Sequence, residues 1–142
     1  MIILYHKINL FDFKVSNGKN AVQYWADSVP IQKKDRGRLD SKIDMLKRVG
    51  DDLPPKLLQS TRERHIKEIA VNGQVALRLL LCHGPIVMKN EFTFLFGATE
   101  RDKKYNPKDS PERADKNRSD LISNPSQRCK HEQFSKSIEG SI

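Results

Sequence analysis

The sequence is poor in cysteine and in long apolar runs. Two cysteines in 142 residues, Cys82 in an apolar stretch and Cys129 in a polar one, supply neither a disulfide framework nor a zinc set. The longest apolar runs, such as Leu79 to Cys82, fall far short of the roughly 20 residues a membrane span needs. The opening residues Met1 to Lys7 have no basic segment ahead of the apolar patch and no small-residue cleavage site after it, unlike a signal peptide. Gly18, Gly73 and Gly97 do not make a phosphate-cradling loop, since none leads from a strand into a helix at the required spacing. The expectation is a cytoplasmic protein with no metal, no cofactor and no membrane segment.

What is abundant is positive charge. Lys plus Arg number 26 and Asp plus Glu 18, a formal 26 − 18 = +8. Residues 31–67 carry eleven basic and six acidic side chains, and residues 101–142 carry ten and seven. Between them, residues 68–98 balance, with Arg78 and Lys89 against Glu68 and Glu91. Charge brackets an apolar centre, the pattern of a globular domain with a rim facing a polyanion.

Residues 9–15 alternate partly and end in Ser16-Asn17-Gly18, which predicts a strand and turn. Asn20 is placed to cap a helix with Val22, Trp25, Ala26 and Val29 on one face, stopped by Pro30. Leu39, Ile43, Leu46 and Val49 stripe a second helix from Lys33 to Val49, with Gly50 as its left-handed cap. Residues 51–64 read as a loop. Three strand segments follow, 65–71, 75–82 and 92–98, the first two joined at Asn72-Gly73 as a hairpin. Ser110-Pro111-Glu112 starts a helix over 111–122. Residues 123–142 read as a polar tail after a single domain of 1–122.

The predicted order is β-α-α-β-β-β-α, an α+β fold with a small antiparallel sheet and an N-terminal helical hairpin packed on one face. Arg78 is the one charge inside the most apolar run, and a buried guanidinium needs a partner. A two-residue loop would set Lys67 against Arg78. A three-residue loop, Asn72-Gly73-Gln74, sets Glu68 against Arg78 and gathers Ile69, Val71, Val75, Leu77, Leu79 and Leu81 on one face. The second register is the better one, and it leaves Glu68, Ala70, Ala76 and Arg78 on the other.

The segments Lys67-Glu68-Ile69, Leu77-Arg78-Leu79-Leu80-Leu81 and Phe94 through Lys104 resemble the RelE/ParE superfamily of toxins, in its HigB-like, phage-derived branch. Ser16 to Trp25 and the stripe from Leu39 to Gly50 are similar to the first strand and helical hairpin of that family. The resemblance covers roughly residues 9–120 and departs from the family at Ala70, where an arginine is usual, and at Glu100, where a lysine is common. It implies the toxin of a type II toxin-antitoxin system, a metal-independent messenger-RNA endoribonuclease, usually ribosome-dependent, silenced by a cognate antitoxin such as a helix-turn-helix protein.

The implied chemistry is attack of a ribose 2′-hydroxyl on the adjacent phosphate, which needs a base, cations at phosphorus and a donor for the leaving oxygen. By resemblance Arg78 would neutralise the phosphate and Lys104 would donate to the leaving oxygen. Glu68 beside Arg78, and His65 as a possible base, complete the candidate catalytic set. Arg64, Arg101 and Lys103 would hold the backbone, and Tyr105 would stack on a base. The alternative is a non-enzymatic protein of the same fold, a gyrase-type inhibitor or a relative that only binds antitoxin or nucleic acid.

Overall fold

The computed structural model describes residues 7–50 and 58–135. The chain runs β1 (Asn9–Phe13), α1 (Ala21–Ser28), α2 (Lys33–Val49), β2 (Gln59–Ser60), β3 (Lys67–Asn72), β4 (Ala76–His83), β5 (Glu91–Arg101), β6 (Lys104–Asn106), α3 (Ser110–Ser123) and β7 (Arg128–Lys130). The start Met1 to His6, residues 51–57 of the expected 51–64 loop and residues 136–142 lie outside the described residues.

Local signals placed the first helices well. Asn20 Oδ1 accepts from the backbone N–H of Val22 and Gln23, each at 3.1 Å, closing two of the donors a helix start leaves open. The α2 stripe buries Leu39, Ile43 and Leu46. Gly50 ends α2 with the expected positive φ of 54°, but its ψ of −126° lies outside the left-handed helical well.

The sheet is mixed, which corrects the expected antiparallel one. Its order is β2-β3-β4-β5-β1-β7, with β6 also on β5, and β1 runs parallel to β5. An interior strand is covered on both faces and so is largely apolar, with any buried charge paired. β1 meets this with Leu10 in the core under α1 and α2 and Phe13 in the core on the opposite face.

The N-terminal helical hairpin packs on one face, as expected, and α3 covers the other. The α1–α2 hairpin covers Ile69, Val71, Leu77, Leu79 and Leu81, and α3 covers Leu80, Cys82, Leu95 and Ala98. The unbroken run Leu79 to Cys82 is buried throughout because both faces of β4 are roofed. α3 docks through the small Ala114 and through Leu121, both with no exposure.

The β3–β4 register differs from both sequence alternatives. Asn72 pairs with Ala76, Ala70 with Arg78 and Glu68 with Leu80, so the loop is Gly73-Gln74-Val75. This register is two residues along from the favoured one. An even shift keeps every side chain on its assigned face, so the division into two faces survives while the expected Glu68–Arg78 facing pair becomes a diagonal one. Val75, expected in the core, is exposed in the loop.

The polar tail expected from residue 123 is corrected over its described part. β7 pairs with β1, His131 Nδ1 lies 2.8 Å from the fully buried Asp12 carboxylate, and Arg128 lies 2.7 Å from buried Glu91. Phe134 has no exposure, and Asp40 accepts its N–H at 2.8 Å and that of Ser135 at 3.0 Å. Residues 128–135 are a strap that completes the sheet and the first core.

Gly97 on β5 sits under Trp25 of α1. A Cβ there would lie 1.9 Å from the indole Cδ2, so the ring must shift before any side chain fits. Gly97→Ala is expected to lose about 1–3 kcal/mol through overpacking. Urea unfolding checks this, and a shift of the native emission should accompany it, since Trp25 is the only tryptophan.

Candidate nucleic-acid interface

Four adjacent strands, β3 to β6, bring Glu68, Arg78, Glu100 and Tyr105 together on the face that α3 partly covers. Arg78 is flanked directly by Ala70 and Ala98, and these small side chains leave room for its guanidinium. The acids sit diagonally, two residues along each neighbouring strand, within reach of a long side chain. Nε of Arg78 is 3.4 Å from Glu68 Oε2, and one terminal nitrogen contacts Glu100 Oε2. The other terminal nitrogen donates to Asn72 Oδ1 at 3.0 Å and to the Leu77 carbonyl at 2.8 Å. Tyr105 donates its hydroxyl to Glu68 Oε1 at 3.0 Å.

One guanidinium thus serves two carboxylates, and the trio carries a formal −1. The Glu68 side chain is only 10% exposed, and burial pushes its carboxyl above the ordinary range, with Glu100 adding to the push. The Tyr105 hydrogen bond and the Arg78 charge act against it. Burial first, and then Glu68 itself, raise the Tyr105 hydroxyl well above its ordinary value. At neutral pH Tyr105 is therefore a proton donor to Glu68, and Glu68 is the group of the pair able to take up a proton.

The raised carboxyl fixes the sign of a pH effect. The native state holds the Glu68 proton more tightly than the unfolded chain, so this group's contribution to stability is complete below the unfolded value of about 4.3. It is lost as pH rises through the higher folded value. Glu68→Gln is expected to flatten that decline. Urea midpoints across this range check it, and an unchanged slope would refute it.

Around this floor the cations stand exposed. The β5–β6 turn, with positive φ at both Asp102 and Lys103, presents Lys103 at its tip, and exposed Lys104 opens β6 beside it. Arg62, Lys103, Lys104, Tyr105 and Lys108 line a cleft of about 360 Å³. Arg62 grips Glu112 of α3 through contacts of 2.6–3.2 Å and donates to the Lys108 carbonyl at 2.7 Å. Its guanidinium lies 5.8 Å from the Tyr105 ring centre. Arg101, Lys103, Lys104 and Lys108 form no ion pair among the described residues.

Of the residues singled out from the sequence, Glu68, Arg78 and Tyr105 are bonded together, with Arg101, Lys103 and Lys104 on the adjoining hairpin. Arg64 and His65 sit exposed in the turn before β3 and make no side-chain hydrogen bond or ion pair with the described residues. The sequence reading missed Arg62, Lys108 and the hold of Glu100 on Arg78. Nothing local marks Arg62, whose partner Glu112 is 50 residues away. No group of three or more His, Cys, Asp or Glu among the described residues is arranged to hold a metal ion, and no described helix is long and apolar enough to cross a membrane. Comparison of the chain with protein-family models, with curated proteins and with solved structures finds no match.

Proposed function

We propose that the protein is an RNA-cleaving toxin of the kind its resemblance implies, acting on messenger RNA at the Glu68–Arg78–Tyr105 cluster and held in check by an antitoxin. One observation carries the reading. A carboxyl with raised proton affinity lies against an arginine and a phenol, beside a rim of exposed lysines that have no acidic partner. The rim attracts the phosphate backbone through charge. In this reading Glu68 takes the 2′-hydroxyl proton as that oxygen attacks phosphorus, Arg78 balances the added negative charge, and Lys104 gives a proton to the departing 5′-oxygen.

The grip of Glu100 on Arg78 favours a second reading, a relative that binds nucleic acid or antitoxin without cutting, because an arginine held by two acids has little left for a phosphate. Expression of the chain in growing cells separates the two. The toxin reading expects growth arrest and fragmented messenger RNA from the wild type and neither from Lys103→Ala/Lys104→Ala. Arrest with intact RNA favours a non-cleaving target such as gyrase, and undisturbed growth and RNA with folded wild-type protein refute the toxin reading.

A further inference from the structure

A second cleft adjoins the basic one and has a different chemistry. β5 has two partners on one edge, β1 alongside residues 91–94 and β6 alongside residues 99–101. Residues 95–98 face the gap between them. Trp25 of α1 closes over Gly97 there, and Asn117 of α3 donates to the Leu95 carbonyl at 2.9 Å. The gap opens into a cleft of about 770 Å³ between α1 and α3.

Its walls include Tyr24, Trp25 and Phe96, and its charged lining residues are Lys19, Arg113 and Lys116, with no carboxylate among them. Tyr24 is 58% exposed, and Lys19 Nζ lies 4.6 Å from its ring centre. Arg113 and Lys116 are neutralised in part by Asp109 and Asp120. Aromatic faces beside cations suit unpaired nucleobases and the phosphates that join them. The two clefts share the segment from β6 to α3, where Lys108 lines the basic cleft and Pro107 the aromatic one.

Resting on the RNA reading above, we propose that the α1–α3 cleft is a base-stacking subsite, which takes unpaired nucleobases of the strand whose backbone the Tyr105 cleft holds. The substrate is thereby a single strand. A duplex keeps its bases stacked on one another and cannot offer them to Tyr24 and Trp25.

The only tryptophan lies in the subsite, so its fluorescence reads occupancy directly. The full chain is titrated with a short 2′-O-methyl oligoadenylate, which cannot be cleaved, with the same strand lacking its bases, and with the duplex. Binding of labelled strands is followed in parallel by anisotropy. The proposal expects saturable Trp25 quenching by the base-bearing strand only, and an affinity for that strand about tenfold lower in Tyr24→Ala, an exposed position whose truncation spares the core. It expects the abasic strand to bind without quenching, and Lys103→Ala/Lys104→Ala/Lys108→Ala to weaken both strands. Equal binding of base-bearing and abasic strands with no change at Trp25 overturns the subsite and leaves the basic cleft standing. No binding of any strand overturns the RNA reading with it. Quenching by an acidic amphipathic peptide and not by RNA overturns the subsite as a protein-docking groove.

Discussion

Phe134→Ala is expected to lower the stability of the domain by about 3–5 kcal/mol. The ring is wholly buried, 6.4 Å from Trp25 and 5.5 Å from His131 between ring centres. Truncation removes that packing and leaves a cavity where the first core closes against the C-terminal strap. Such a loss is a large part of the total stability of a small domain. Urea unfolding should show a lower midpoint with an unchanged slope. An unfolding free energy within about 0.5 kcal/mol of wild type would mean that residues 128–135 do not pack as described.

Arg78→Ala is expected to cost a similar amount for a different reason. It leaves Glu68 and Glu100 beside each other with no cation, and an unpaired buried charge costs about 3–5 kcal/mol. The loss should be greatest at neutral pH and shrink as pH falls, because protonating Glu68, whose carboxyl burial already raises, relieves the repulsion. Arg78→Lys should recover only part of it, since an ammonium cannot serve both carboxylates, Asn72 and the Leu77 carbonyl in the same plane. The triple variant Glu68→Gln/Arg78→Met/Glu100→Gln removes all three charges and should recover most of the stability. If Arg78→Ala were as stable as wild type at pH 7, the cluster would contribute nothing to the fold.

What could be read from the sequence is what local chemistry decides. The Asn20 cap, the stripe Leu39, Ile43, Leu46 and the presence of a hairpin between β3 and β4 each depend on residues within a few positions of one another. Arg78 was also legible, as a single charge in an apolar run. Its partners were only half legible, because registers two residues apart put the same side chains on the same face and differ only in which residues meet. The parallel pairing of β1 with β5 carries no local mark. The strap was missed because a segment with only Phe134 as a large apolar residue resembles a tail until Asp12, Asp40 and Glu91, all distant in sequence, receive it. α3 has few apolar residues, yet Ala114 needs only its smallness to bring the helix close to β5.

The same contrast runs through the interface. Lys103 and Lys104 stand out as neighbours in the chain, whereas Arg62 and Lys108 join them only through the fold. Glu100 stood out as a departure from the lysine common at that place in the resembled family. In the structure it is a structural partner of Arg78, which gives its charge a physical reason.

The most direct test of the proposed chemistry is the state of the RNA ends. Single-stranded messenger RNA is incubated with the full chain, with and without translating ribosomes, and the fragments are analysed for terminal groups. Attack by the 2′-hydroxyl breaks the bond from phosphorus to the 5′-oxygen, so the account predicts fragments with a 2′,3′-cyclic phosphate on one side and a 5′-hydroxyl on the other, formed by wild type and lost in Glu68→Gln. Intact RNA in both conditions, from folded protein that binds the strand, would contradict it.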